Sequence, residues 1–195
     1  MSSQKIVILK GSPRKKGNSC TLADSLANGA VDHGATIEEF FLQKMTIKPC
    51  NACNACINKP AKECIIDDDM QQIYPALRSA DSIVMASPIY WFNMSAQTKL
   101  VIDRLYGLVE PHRRVLKGKK IAMILVYGDT NPATSGVNNA IQSFEETFRY
   151  IGANIVAIIH GSAMDAGEIK QNQKLMDETY ELGKKLSSEP LKSPN

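Results

Sequence analysis

The stretch Lys5-Ile6-Val7-Ile8-Leu9-Lys10-Gly11-Ser12-Pro13-Arg14-Lys15-Lys16-Gly17-Asn18-Ser19-Cys20-Thr21 decides the class of the fold. Ile6 to Leu9 form an unbroken apolar run, which marks a strand hidden on both faces, and Lys10-Gly11-Ser12-Pro13 ends it in a turn. After the polar Arg14 to Gly17, Asn18 or Ser19 caps a helix whose apolar positions Leu22, Leu26 and Ala30 recur on one face until Gly34. Strand, loop and helix in that order open an α/β unit.

The same alternation continues outward. Thr36 to Leu42 reads as a second strand, Ser82 to Pro88 as a third, Ile121 to Tyr127 as a fourth, and Asn154 to Ile159 as a fifth that stops at His160-Gly161-Ser162. Asp67-Asp68-Asp69 supplies the N-cap and first-turn acids of a helix running towards Ser79, with Pro75 predicting a kink or a late start. Further helices begin near Asn93 to Ser95, run through Val137, Ile141, Phe144, Phe148 and Ile151, and pass through Leu175, Thr179, Leu182 and Leu186. Apolar strands without alternation, each followed by an amphipathic helix, require a parallel sheet covered on both faces. The class is doubly wound α/β, and ligands of such sheets bind at the carboxyl ends of the strands.

Composition limits the function. The chain has 195 residues, 44% hydrophobic and 22% charged, enough for one compact domain with a sizeable core. A net charge of +3 gives no reason to expect a nucleic-acid partner. No apolar run approaches the roughly 20 residues of a membrane span, and Met1 to Lys5 lead straight into a strand, so a cytoplasmic protein is expected. Residues 1–186 are expected as the domain and 187–195 as a flexible tail. Of five cysteines, Cys50, Cys53, Cys56 and Cys64 crowd together within a loop, residues 48–66, that carries little periodic pattern and reads as an insertion after the second strand. In a reducing compartment such crowding points to metal or redox chemistry before structural disulfides.

The first loop joins a buried strand to a helix N-terminus, where exposed N–H groups and the helix dipole favour an anion, and Ser12, Asn18, Ser19 and Thr21 add donors. It is neither a Walker A loop nor a G-x-G-x-x-G fingerprint, and an ordinary polar turn with solvated lysines is the bland alternative. The loop after the third strand, Ser87 to Ser95, concentrates Tyr90, Trp91 and Phe92, which suits a flat ligand, a partner subunit or a loop tucked into the core. Tyr127-Gly128-Asp129 adds an aromatic beside a glycine that permits close approach. His33, His112 and His160 have no metal-ligand spacing to one another, and the basic run Arg113 to Lys120 reads as a solvated connection.

Gly11-Ser12-Pro13-Arg14, Ser87-Pro88-Ile89-Tyr90 and Tyr127-Gly128-Asp129 together resemble the NADPH-dependent FMN reductases, from Lys5 to about Leu186. The resemblance implies a flavodoxin-like five-stranded sheet in the order 2-1-3-4-5. It implies that Ser12, Arg14, Asn18, Ser19 and Thr21 hold the FMN phosphate and that Pro88, Ile89, Tyr90, Trp91, Asn93 and Met94 cradle the ring and ribityl chain, with Tyr127 and Gly128 near the ring.

Cys50-x2-Cys53-x2-Cys56-x7-Cys64 is similar to the compact motif of the iron–sulfur flavoproteins, with its last gap at the long end of that pattern. Pro49 and Asp68-Asp69-Met70 fit it. Four thiols at this spacing can ligate a [4Fe–4S] cluster, a zinc ion or no metal at all. The expected function is an FMN-dependent electron-transfer oxidoreductase with a [4Fe–4S] cluster at these four cysteines. The alternatives are an NAD(P)H-dependent FMN or quinone reductase without a cluster, and a non-catalytic zinc-stabilised binding module. The family implies a homodimer or homotetramer in which the cluster loop approaches the flavin of a neighbouring subunit. NAD(P)H or ferredoxin can serve as donor, and quinones, oxygen species or another protein as acceptor. No side chain is assigned as a catalytic acid or base, and Cys20 is expected to be a bystander.

Overall fold

The computed structural model describes residues 3–58, 63–109 and 114–188. Its strands are β1 (Lys5–Lys10), β2 (Thr36–Phe41), β3 (Ser82–Tyr90), a two-residue β4 (Asn93–Met94), β5 (Lys120–Tyr127) and β6 (Asn154–Ser162). The sheet order is β2-β1-β3-β5-β6 with every neighbour parallel, and β4 folds back antiparallel on β3. The five parallel strands thus take the expected flavodoxin-like order, and β4 is the addition. It lies where the next helix was expected to begin. Ser95 is the true N-cap, accepting a hydrogen bond from the Thr98 amide, so Asn93 and Met94 are left to pair with Tyr90 and Ile89.

The helices are α1 (Asn18–Val31), α2 (Ala55–Asn58), α3 (Met70–Ser79), α4 (Ala96–Arg104), α5 (Tyr106–Val109), α6 (Pro132–Ser135), α7 (Val137–Ile151) and α8 (Gln173–Ser188). Along β1 the side chains alternate between two cores: Ile6 and Ile8 pack with Leu22 and Leu26 of α1 and Leu182 and Leu186 of α8, whereas Val7 and Leu9 pack with Ile73 of α3, Val101 of α4 and Phe144 of α7. That double burial is why the strand shows no polar alternation. Each fully buried leucine contributes roughly 1.5–3 kcal/mol of transfer free energy.

Several boundaries differ from the sequence reading for local reasons. Gly17, not Asn18 or Ser19, is the cap residue of α1, because the Asn18 side chain is drawn away to another loop. Asp69 takes the cap position of α3 and no acid enters its first turn, while Pro75 sits on the exposed face of a helix that already starts at Met70. β6 runs on through His160 to Ser162. Ser187 and Ser188, assigned to the tail, are the last residues of α8, and the rest of the tail lies outside the described residues, as do His112 and Arg113. Lys119 and Lys120 are not solvated: Lys120 opens β5 buried, and Lys119 donates to the carbonyls of Arg78 and Ala80. No helix among the described residues is long and apolar enough to cross a membrane.

Helices α1 and α8 approach closely through paired glycines. A Cβ on Gly29 would collide with the Tyr180 carbonyl, and one on Gly183 with the Leu26 carbonyl, both backbone atoms that cannot swing aside. Gly183→Ala should therefore lower stability by about 1–3 kcal/mol, read as a lower urea midpoint. Lys184→Ala, one position along on the exposed face, should change it by less than about 0.5 kcal/mol.

Candidate functional site

A cleft opens at the carboxyl ends of β1, β3, β5 and β6. The first loop supplies Ser12, Arg14, Gly17, Asn18 and Ser19. Gly17 donates its amide to the Arg14 carbonyl at 2.9 Å, closing a tight turn, and Ser12 Oγ accepts from the Arg14 amide at 3.1 Å. A Cβ on Gly17 would meet Ser12 Oγ, so any other residue there would displace the hydroxyl from the Arg14 amide. The chain then enters α1, whose first-turn N–H groups have no intrahelical acceptor. Ser19 is 2% exposed, and its hydroxyl has no hydrogen-bond partner among the described residues. A buried, unpartnered hydroxyl at the positive end of a helix dipole can accommodate an anion.

Asn18 lines the same cleft but is committed to the protein. Its Nδ2 donates to the carbonyls of Ala163 at 3.2 Å and Asp165 at 2.9 Å, and its Oδ1 accepts from the amides of Gly167 at 2.9 Å and Ile169 at 3.3 Å. Thr21 is turned away: its hydroxyl donates to the Gly17 carbonyl and it borders a separate depression with Lys16 and Asp24. Cys20 is buried beneath the loop, and burial pushes its thiol up to about 11, so it stays protonated at neutral pH, as a bystander should.

The end of β3 supplies Pro88, Ile89 and Tyr90 to the cleft. Trp91 and Phe92 form the turn to β4 with φ of 46° and 64°, and this conformation carries Trp91 out to 93% exposure, away from the cleft. Asn93 uses its Oδ1 on the Met94 amide, and Met94 is buried in the core. From β5 come Val126, Tyr127 and Gly128. The Tyr127 hydroxyl lies 3.2 Å from His160 Nδ1, and burial, with Asp129 nearby, raises it above the usual tyrosine value.

The wall formed by Ala163, Met164 and Ala166 after β6 was not assigned to the site from sequence. Met164 lies across Gly128, where a Cβ would come within 2.9 Å of its Cε. Glu168 holds this loop by accepting from the Met164 and Asp165 amides. The one sequence signal was its position at a strand's carboxyl end, since its attachment to Asn18 joins residues far apart in the chain.

Cys50 and Cys53 are exposed, Cys56 and Cys64 half-buried, and all are free thiols. Ala52 and Asn54 take left-handed φ values of 53° and 54°, so the backbone coils between the cysteines. Burial raises the Cys56 thiol, and neighbouring Cys64, Cys53 and Cys50 push in the same direction. The four are neighbours, yet no group of three or more His, Cys, Asp or Glu side chains is gathered to hold a metal ion among the described residues. Residues 59–62, between Cys56 and Cys64, lie outside them.

Asn18→Ala should leave the sheet intact but free the wall after β6. Hydrogen exchange at the Gly167 and Ile169 amides should quicken by about tenfold or more, while exchange in β1 and β3 should stay unchanged.

The sequence profile of the NADPH-dependent FMN reductases matches residues 4–167. An iron–sulfur flavoprotein of Archaeoglobus fulgidus is 36% identical over 125 residues, which are 63% of this chain but only 54% of that protein. An iron–sulfur flavoprotein of Methanosarcina thermophila is 34% identical over 152 residues, 78% of this chain and 76% of its own length. A Bacillus subtilis relative, provisionally named an NAD(P)H-dependent FMN-containing oxidoreductase, is 28% identical over 93% of this chain and 97% of its own length. The fold is shared with the NAD(P)H:quinone oxidoreductase of Methanothermobacter marburgensis, with a TM-score of 0.73 at 18% identity over 97% of this chain and 99% of that one. By the extent of the profile match and the identity of these relatives, the chain belongs to the NADPH-dependent FMN reductase family.

Proposed function

We propose that the protein binds FMN in the cleft at the strand ends and acts as an NAD(P)H-dependent oxidoreductase, with Cys50, Cys53, Cys56 and Cys64 as ligands of a [4Fe–4S] cluster. The observation that carries the flavin assignment is the buried, unpartnered Ser19 hydroxyl at the N-terminus of α1, facing a cleft walled by Pro88 to Tyr90 and Tyr127-Gly128. A phosphate there would receive that hydroxyl and the first-turn N–H groups. Asn18 serves by holding the wall after β6 in place and Thr21 has no part in phosphate binding, which revises the roles that the resemblance implied.

Bound FMN would supply hydride acceptance and single-electron release, and a [4Fe–4S] cluster single-electron transfer alone. The chain's own part is to bind, orient and exclude water. Pro88, Ile89 and Tyr90 offer an apolar wall with one polar tip, and Gly128 leaves room for close approach. Tyr127 keeps its proton, because burial opposes the phenolate, and so remains a hydrogen-bond donor or acceptor steadied by His160.

The cluster assignment is supported by the donor set, by the effect of Cys64, Cys53 and Cys50 on the Cys56 thiol and by the names of the two archaeal relatives. A reductase without a cluster is the second reading, favoured by the absence of a gathered ligand group among the described residues. Exposed Trp91 and Phe92 offer apolar surface to a second subunit.

Absorption spectra of anaerobically purified protein, with iron and sulfide analysis, separate the readings. Flavin bands with about four irons per chain are expected. Flavin without iron selects the second reading, and a colourless zinc protein overturns both. Ser19→Ala should weaken FMN binding by about tenfold or more, through loss of a hydrogen bond to a charged group. Thr21→Ala should change the dissociation constant by less than about twofold, as flavin fluorescence titration would show.

A further inference from the structure

Arg104 ends α4 with its side chain 1% exposed, paired with Asp68 at 0%. Two bonds join them, Nη1 to Oδ2 at 2.7 Å and Nη2 to Oδ1 at 3.2 Å. The pair also grips the chain entering the cysteine segment: Arg104 Nη1 donates to the Lys48 carbonyl at 2.9 Å, and Asp68 Oδ2 accepts from the Lys48 amide at 2.9 Å. On the side where the segment leaves, Gln71 Nε2 donates to the Cys64 carbonyl at 3.1 Å, and the Tyr74 hydroxyl donates to the Arg104 carbonyl at 3.0 Å. One group is left over. Arg104 Nε is buried and has no hydrogen-bond acceptor among the described residues.

We propose that Arg104, locked by Asp68, is the positioning residue of the cysteine segment: it holds the arm entering at Lys48 against the stretch from Asp68 to Gln71, whose Gln71 side chain in turn holds the arm leaving at Cys64. This rests on reading the four cysteines as ligands. Lysine cannot replace it, because one ammonium lacks the planar fork that bonds a carboxylate twice while a third N–H points elsewhere.

Arg104→Lys tests the proposal. In metal-free, FMN-containing protein, peptide-resolved alkylation by iodoacetamide should become at least about tenfold faster at Cys64, the expected result of a local opening made easier by about 1.4 kcal/mol. Cys50 and Cys53, already exposed, and Cys20, deeply buried, should keep their rates. A change below about twofold at Cys64 overturns the clamp. Should Cys20 also quicken, marking general loosening, the wild-type protein decides instead. Its Lys48 amide must exchange as slowly as the amides of α3, and exchange as fast as at Asn51 overturns the proposal. A wild-type protein that takes up no iron removes the cluster reading alone, because the alkylation and exchange results still decide the clamp.

Discussion

The connections after β1 and β3 leave the sheet on opposite faces, and the site follows from that divergence. β1 feeds α1, which packs with α8, while β3 leads to α4, which joins the core under α3 and α7. The two strands are hydrogen-bonded neighbours, so a gap must open between their carboxyl ends. The interior strands β1, β3 and β5 of the sheet are flanked on both sides, so their backbone amides are engaged by their neighbours. Unpaired donors are therefore available only where the chain leaves it, and the N-terminus of α1 concentrates them at the gap. Ser95 reinforces the junction by donating to the Gly11 carbonyl at 2.7 Å, which joins the loop after β1 to the start of α4.

Asn18 and Ser19, adjacent in the chain, spend their polar groups in opposite ways. The four bonds of Asn18, at about 0.5–1.5 kcal/mol each, help to hold a loop that is anchored in the core at Ala163 and Ile169. The Ser19 hydroxyl is left unsatisfied, at a cost of about 1–3 kcal/mol. A ligand oxygen at that position would recover the cost on binding. The folded chain is thus less stable at this point than it could be, and the difference is available as affinity.

Much of the architecture was legible because its signals are local. The apolar runs of β1, β3 and β5 and the spacing of Leu22, Leu26 and Ala30 report burial directly, and the elements they mark are present. The details of the site needed geometry. Ser19 and Thr21 are two residues apart, which on an α-helix is roughly 200° of rotation, so their side chains leave it on opposite sides and only Ser19 lines the cleft. That exclusion was available from the sequence once the helix was placed. Trp91 was not available in the same way: three consecutive aromatics suggest stacking, but only the left-handed turn at Trp91 and Phe92 determines which of them leaves the cleft. The wall at Ala163 to Ala166 was marked in the sequence only by its place after a strand, because its partner Asn18 lies 145 residues away.

The cysteine segment poses a different physical problem. Residues 49–54 bury no side chain in either core, so hydrophobic packing cannot fix their position, and the chain is anchored instead on either side, at Ile47 and through the contact of Cys64 with the core. A buried Arg–Asp pair is a costly means of stabilising a fold, since apolar residues of the same size often do as well or better. An apolar pair, however, offers nothing to a peptide unit, whereas Arg104 and Asp68 together satisfy the carbonyl and the amide of Lys48 as well as the Met70 amide that opens α3. The pair therefore contributes chiefly to where the segment lies. If the four thiols converge on one small inorganic group, as proposed, they would need defined placement more than extra stability, and a buried ion pair with fixed bond directions would provide it.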